Sequence, residues 1–152
     1  MYKRQFYGFA SRLFLIERRI PVCSPALLAR LPLHEVADLR RHTLLHISTL
    51  PRAWPDWLAA AGGGGIEPAS SLTLDHFFLT IQAALDGLGV AMGPTVLVAN
   101  DLEAGRLVAP FAGISLPTRN YHAYRPDSQA SDPSAGAFCD WLEEMGRPQA
   151  PR

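Results

Sequence analysis

Apolar residues recur at helical spacing from His76 onward: Phe77, Phe78, Ile81, Ala84, Leu85 and Leu88. The spacing predicts a helix that stops at Gly87 and Gly89. Ahead of it, "SLTLD" (71–75) alternates as a strand does, and behind it "VAMG" (90–93) reads as a short buried strand. "TVLVANDLEAG" (95–105) reads as a helix capped by Thr95 and stopped by Gly105. Upstream, "LFLIERRIPVCS" (13–24) is extended, and Ser24-Pro25 marks a helix start before "ALLARL". "PLHEVADLRRH" (32–42) is a loop with one more helical turn, and "TLLHI" (43–47) is a strand. "AWPDWLAAAG" (53–62) is a short helix with Trp54, Trp57 and Leu58 on one face, followed by a glycine loop from Gly62 to Gly65. "RLVAPF" (106–111) and "NYHAYRP" (120–126) read as strands. "SAGAFCDWLEEMG" (134–146) is an amphipathic helix with Phe138, Trp141, Leu142 and Met145 on one stripe. The opening residues to about Ser11 show neither period and read as poorly ordered, and "RPQAPR" (147–152) reads as a fraying tail. Strands alternating with helices, without an internal repeat, make the class α/β.

The stretch "LDGLGVAMGP" (85–94) holds three glycines. A phosphate-cradling glycine loop runs from strand to helix, so that its amides lie at a positive helix N-terminus. The order here is helix to strand. A helix C-terminus presents carbonyls and repels an anion. Gly87 and Gly89 are therefore expected to be cap and turn residues. The strand-to-helix turns are the better places for a ligand: Val22-Cys23-Ser24-Pro25, Leu74-Asp75-His76-Phe77 and Met92-Gly93-Pro94-Thr95. In an open α/β sheet such turns gather at the carboxyl ends of the strands. Convergence of the three would join Ser24, His76, Phe77, Pro94 and Thr95, with Asp75 as a capping carboxylate.

Composition narrows the function. Lys+Arg 14 balances Asp+Glu 14, whereas a module gripping nucleic acid by its phosphates carries a positive excess. Cys23 and Cys139 lie far apart, without metal-type spacing, and fit a reducing compartment. Apolar runs break well before the roughly 18 residues of a membrane span. The basic N-terminus lacks the apolar stretch and cleavage site of a signal peptide. A cytoplasmic protein with no membrane partner is expected. His42 and His46 stand four apart in a strand-like segment, which separates their side chains too far for a shared metal. No G-x-S-x-G surrounds any serine, so neither catalytic nor metal-binding residues, nor a cofactor, are assigned. Asp140, Glu143 and Glu144 read as the solvated face of the last helix. Arg18-Arg19 and Arg40-Arg41 read as surface charge, and Trp54/Trp57 as core.

Taken in order, "PVCSPALLARLPL", "ADLRRHTLLH", "WPDWLAAAG", "AALDGLGVAMGPTVLVANDLEAGRLVAPF" and "AFCDWLEE" resemble the effector-binding domain of LysR-type transcriptional regulators. They look most like the branch with the glycine-cleavage and β-lactamase regulators. The resemblance covers about Leu13 to Glu144. It implies a type 2 periplasmic-binding-protein-like lobe: the second lobe over 13–126, then a crossover and returning C-terminal helix over 127–146 that belong with the first lobe. It also implies a fragment without the winged helix-turn-helix and most of the first lobe. Pocket positions carried over from the family fall on His76, Phe77 and Tyr121. The partners implied are a small, carboxylate-bearing effector in an interlobe cleft, a homo-oligomer (dimer or tetramer), and promoter DNA reached only through the N-terminal domain. The function implied is regulatory and non-enzymatic. A solute-binding protein of similar fold is the alternative, with a small α/β hydrolase behind it.

The charge balance yields a direct expectation. In a gel shift this chain alone gives only weak binding that salt abolishes, without sequence preference. A tight sequence-specific shift would contradict it.

Overall fold

The computed structural model describes residues 7–118, 120–129 and 132–147. In chain order the elements are β1 (Phe9–Leu15), β2 (Arg18–Val22), α1 (Pro25–Arg30), a 3-10 helix (Val36–Arg41), β3 (Thr43–Ile47), α2 (Ala53–Ala60), β4 (Ser70–Leu74), α3 (Phe77–Leu85), β5 (Val90–Pro94), α4 (Thr95–Glu103), β6 (Leu116–Pro117), β7 (Tyr121–Pro126), a 3-10 turn (Asp127–Gln129) and α5 (Pro133–Gly146). They form two compact units. One is Arg18–Pro117, and the other joins the chain up to Glu17 with the chain from Thr118.

The larger unit is built on a five-stranded sheet in the order β4-β3-β5-β2-β6. β3 pairs in parallel with both β4 and β5. β2 runs antiparallel to β5, with Arg19 opposite Pro94 and Val22 opposite Ala91, and β6 is antiparallel to β2. Alternate residues of one strand point to opposite faces, and the two cores follow that rule. Leu44, Val90 and Met92 join Leu27, Leu39, Trp54, Trp57 and Leu58 on the face covered by α1, the first 3-10 helix and α2. Leu45 and Ala91 join Ile20, Val22, Ile81, Ala84 and Val98 on the face covered by α3 and α4. The tryptophans anchor the first core. Their rings meet edge to face at 5.9 Å, and Trp57 also lies 5.5 Å from the Phe111 ring. Each indole N–H has an acceptor, the Leu45 carbonyl for Trp54 at 3.0 Å and the Ile114 carbonyl for Trp57 at 2.9 Å. Both rings are thus buried without an unpaired donor.

Local sequence accounts for most helix ends. Ser24 caps α1 by accepting from the Leu27 N–H at 3.2 Å, with Pro25 in the first turn. The first 3-10 helix has a capping box between Glu35 and Asp38. The amides of Glu35 and His34 hold the Asp38 carboxyl below its ordinary range, with Arg41 paired to it at 2.6 Å. Gly87 follows α3 at φ +75°, and a side chain on Gly89 would collide with the Thr43 carbonyl. Gly87 and Gly89 are thus the cap and turn residues the sequence predicts, and the close backbone approach at Gly89 is an added constraint that the sequence does not show.

The smaller unit is an antiparallel ribbon of β1 and β7, bulged between Leu13 and Leu15, with α5 against β1. Arg12 reaches from β1 to two carboxylates on α5, Asp140 at 2.7 Å and Glu143 at 2.6 Å. Cys139 and Leu142 turn toward the ribbon, lining a hollow with Phe14 and Ala123. Phe138, Trp141 and Met145 stay 57%, 52% and 62% exposed.

Several expectations need correction. Strand β1 starts at Phe9, inside the opening segment read as irregular, because its backbone pairs with a strand more than a hundred positions away. Residues 1–6 lie outside the described residues, as do 148–152 of the tail. The extended run 13–24 is two strands in different sheets, broken at Ile16-Glu17. "RLVAPF" makes only one bridge, Val108 to Cys23, and Pro110 has no N–H with which to extend a ladder. The two units also divide the chain at Glu17/Arg18 and Pro117/Thr118, so 13–17 and 118–126 fall with the C-terminal helix and not with the larger unit.

Trp57→Ala should cost about 3–5 kcal/mol of unfolding free energy, as large-to-small changes in a packed core do. Trp57→Phe should cost less, losing mainly the hydrogen bond to the Ile114 carbonyl. Urea unfolding followed by circular dichroism checks both.

Burial also holds the His42 and His46 imidazoles below their ordinary value of 6.5, and neither ring nitrogen of His42 makes a hydrogen bond of ordinary geometry. An unfolded chain takes up these protons near 6.5, but the folded chain takes them up only at lower pH. The contribution is therefore complete above about 6.5 and declines as pH falls toward the lowered values. The urea midpoint should drop between pH 7.5 and 5.5, and His42→Leu should flatten that slope.

Candidate functional site

Because β3, β4 and β5 are parallel, their carboxyl ends share one edge of the sheet. His76 and Phe77 follow β4 there, and Pro94 and Thr95 end β5 and begin α4. His76 is the N-cap of α3 but makes no side-chain capping bond. Its ring instead stacks on Phe78 at 5.4 Å with planes 14° apart. Asp75 does not cap α3 and accepts from the Ser48 hydroxyl at 3.2 Å. Pro94, not Thr95, is the N-cap of α4. The Thr95 hydroxyl is turned outward from its own helix and accepts from the Arg18 N–H at 3.1 Å.

Ser24 does not join this edge. β2 is antiparallel to β5, so its carboxyl end lies where β5 begins. Ser24 stands at the C-terminal end of α3, and a side chain on Gly87 would lie 3.2 Å from its hydroxyl. Ser24, Gln82, Leu85, Gly105 and Arg106 line a shallow hollow of their own. The nine residues of α3 separate it from His76, about 13 Å along the helix axis. The three-turn convergence thus reduces to two turns. Tyr121 belongs to the smaller unit, where its hydroxyl donates to the Glu17 carboxylate at 3.2 Å. Thr118 also donates to that buried carboxylate, at 3.1 Å.

The antiparallel strand brings in Arg18 and Arg19, which the sequence alone suggests as surface charge. Arg18 and Arg19 start β2 and therefore stand at the carboxyl edge, with Arg19 opposite Pro94. The Arg18 guanidinium donates to Ser115 at 3.2 Å. The half-buried Arg19 carries its guanidinium over the Phe77 ring, 5.5 Å from the centroid. The available signal was two charges at the mouth of an apolar strand. The edge thus offers an apolar wall at Phe77, a stacked imidazole–phenyl pair, a hydroxyl and a cation. Cys23, wholly buried, is pushed up to about 12 by burial and presents no thiolate.

A model of the LysR substrate binding domain matches residues 3–147. The chain belongs to the LysR substrate-binding-domain family. It is 38% identical over 131 residues to the HTH-type transcriptional regulator TrpI of Pseudomonas aeruginosa, covering 85% of this chain and 44% of TrpI. It is 35% identical over 127 residues to the glycine cleavage system transcriptional activator of Escherichia coli, covering 83% of this chain and 41% of that protein. The chain thus spans less than half the length of these relatives. Among solved structures, the effector domain of the transcriptional regulator AmpR of Pseudomonas aeruginosa is 31% identical with a TM-score of 0.71, over 93% of this chain and 68% of that one. The AmpR effector binding domain of Citrobacter freundii, at 23% identity and a TM-score of 0.71, shares the fold over 93% of this chain and 69% of that one. These likenesses bear out the LysR resemblance and the type 2 periplasmic-binding-protein-like α/β class. The relatives are transcriptional regulators and not enzymes. Among the described residues of this LysR-family chain, no helix is long and apolar enough to cross a membrane.

Proposed function

We propose that this chain is effector-sensing machinery of a LysR-type regulator, binding a small carboxylate-bearing metabolite at the carboxyl edge of its five-stranded sheet. The observation that supports the reading is that β4 and β5 run the same way, so that His76-Phe77 and Pro94-Thr95 follow strand ends on one side of the sheet, in a chain of this family. Two helices, α3 and α4, start at that edge and direct backbone N–H groups and positive dipole ends toward it, which favours an anionic group. Phe77 supplies apolar surface for the ligand body. The protein performs no chemistry on that ligand and works in the cytoplasm. It acts as a homo-oligomer and meets promoter DNA through a separate DNA-binding domain. Ser24 and Tyr121 are left out of the binding set, the first because of its place on the opposite edge and the second because its hydroxyl serves Glu17.

The test uses the full-length regulator in a reporter strain with its inducing metabolite. His76→Ala and Phe77→Ala should each raise the effector concentration for half response about tenfold, a loss of about 1.4 kcal/mol of binding. Promoter occupancy without effector should stay at the parent level. Unchanged response curves for both variants would overturn the edge assignment. Turnover of a generic ester by the purified protein would overturn the non-enzymatic reading.

A further inference from the structure

We propose that Arg19 is the anion-recognition group of this edge, taking the paired oxygens of a carboxylate or phosphate in the plane of its guanidinium while Phe77 backs it. The inference rests on the edge being the ligand site and adds the residue that selects charge there. Three observations carry it. First, Arg19 is half-buried, yet its side chain makes no hydrogen bond or ion pair among the described residues, and its Nε is fully enclosed without an acceptor. The other arginines of the larger unit whose partners are described differ: Arg18 donates to Ser115, Arg30 to the Gly87 carbonyl, Arg41 to Asp38, Arg52 to Asp56 and Arg106 to Asp101. Second, the Phe77 ring fixes the guanidinium from one side. Stacking of this kind leaves the in-plane donors free and pre-orients them, so less freedom is lost when an anion arrives. Third, the register of β2 on β5 puts Arg19 opposite Pro94, one residue from the start of α4. The enclosed Nε holds the stem in place, and the two Nη groups keep donors that match the paired oxygens of an arriving oxyanion.

The experiment is an NMR titration of the isotopically labelled whole chain with benzoate and, separately, inorganic phosphate, against sodium chloride at matched ionic strength. The amides of Phe77–Leu79 and Thr95–Leu97 report on the edge. At least one of the two anions should shift them saturably, and sodium chloride should not. Which anion does so identifies carboxylate or phosphate as the preferred group. Arg19→Gln should weaken the response at least tenfold and Arg19→Lys should weaken it less, while Arg30→Gln, at a side chain that donates to the Gly87 carbonyl beyond the far end of α3, leaves it within twofold. Spectra unchanged away from the edge show that each variant is folded. If Arg19→Gln binds as the parent does, the Arg19 inference is overturned while the edge remains the ligand site. If benzoate or phosphate shifts only amides distant from the edge, both fail. If neither anion shifts anything beyond the chloride control, the Arg19 inference is overturned and the edge is left to uncharged ligands.

Discussion

The reversed direction of β2 within an otherwise parallel group of strands governs what this molecule can do. Three strands, β3, β4 and β5, deliver their carboxyl ends to one edge, and β2 delivers its first residues to the same place. A parallel β2 would have brought the Ser24 turn and the α1 N-terminus to that same edge. The antiparallel one brings Arg18 and Arg19 instead and sends Ser24 to the far edge. A polar capping residue is thereby exchanged for two cations. This one choice of strand direction sets the charge of the site.

The two units rely on different sources of order. The larger one has a core on each face of its sheet, with Trp54 and Trp57 at the centre of one and Ile81, Ala84 and Val98 in the other. The smaller one, among its described residues, buries only Cys139 and Glu17. Its ribbon is held by backbone pairing and by the fork of Arg12 between Asp140 and Glu143, contacts that are partly open to solvent and individually weak. A two-stranded ribbon with one helix is marginal by itself. Conformational freedom is therefore to be sought in the smaller unit and rigidity in the larger.

Local chemistry was readable in the chain. The Ser24-Pro25 cap, the stop at Gly87 and the inward tryptophan face each depend on residues within a few positions, and each stands where periodicity and capping rules put it. What was not readable depends on distant partners. Nothing within 13–24 reports that Phe9–Leu15 pairs with Tyr121–Pro126 while Arg18–Val22 joins another sheet. Strand direction is likewise a property of the pair. Thr95 shows the same limit, since its sequence suggests a cap for its own helix but a distant amide, that of Arg18, claims its hydroxyl. The candidate site was half legible for this reason. His76, Phe77, Pro94 and Thr95 came from local turn signals, whereas Arg19 came only from topology.

The pairing of Arg18 with Pro117 closes the larger unit on itself, and Thr118 likewise donates to the Glu17 carbonyl just outside it. The hundred residues between therefore leave and re-enter the rest of the chain through adjacent positions. In architectural terms this is a cassette: a piece with neighbouring ends can be gained, lost or exchanged between proteins without rethreading its host. The candidate edge, with Arg18, Arg19, His76, Phe77 and Thr95, lies entirely inside that cassette. Whatever that edge contributes can accordingly be transplanted as one segment.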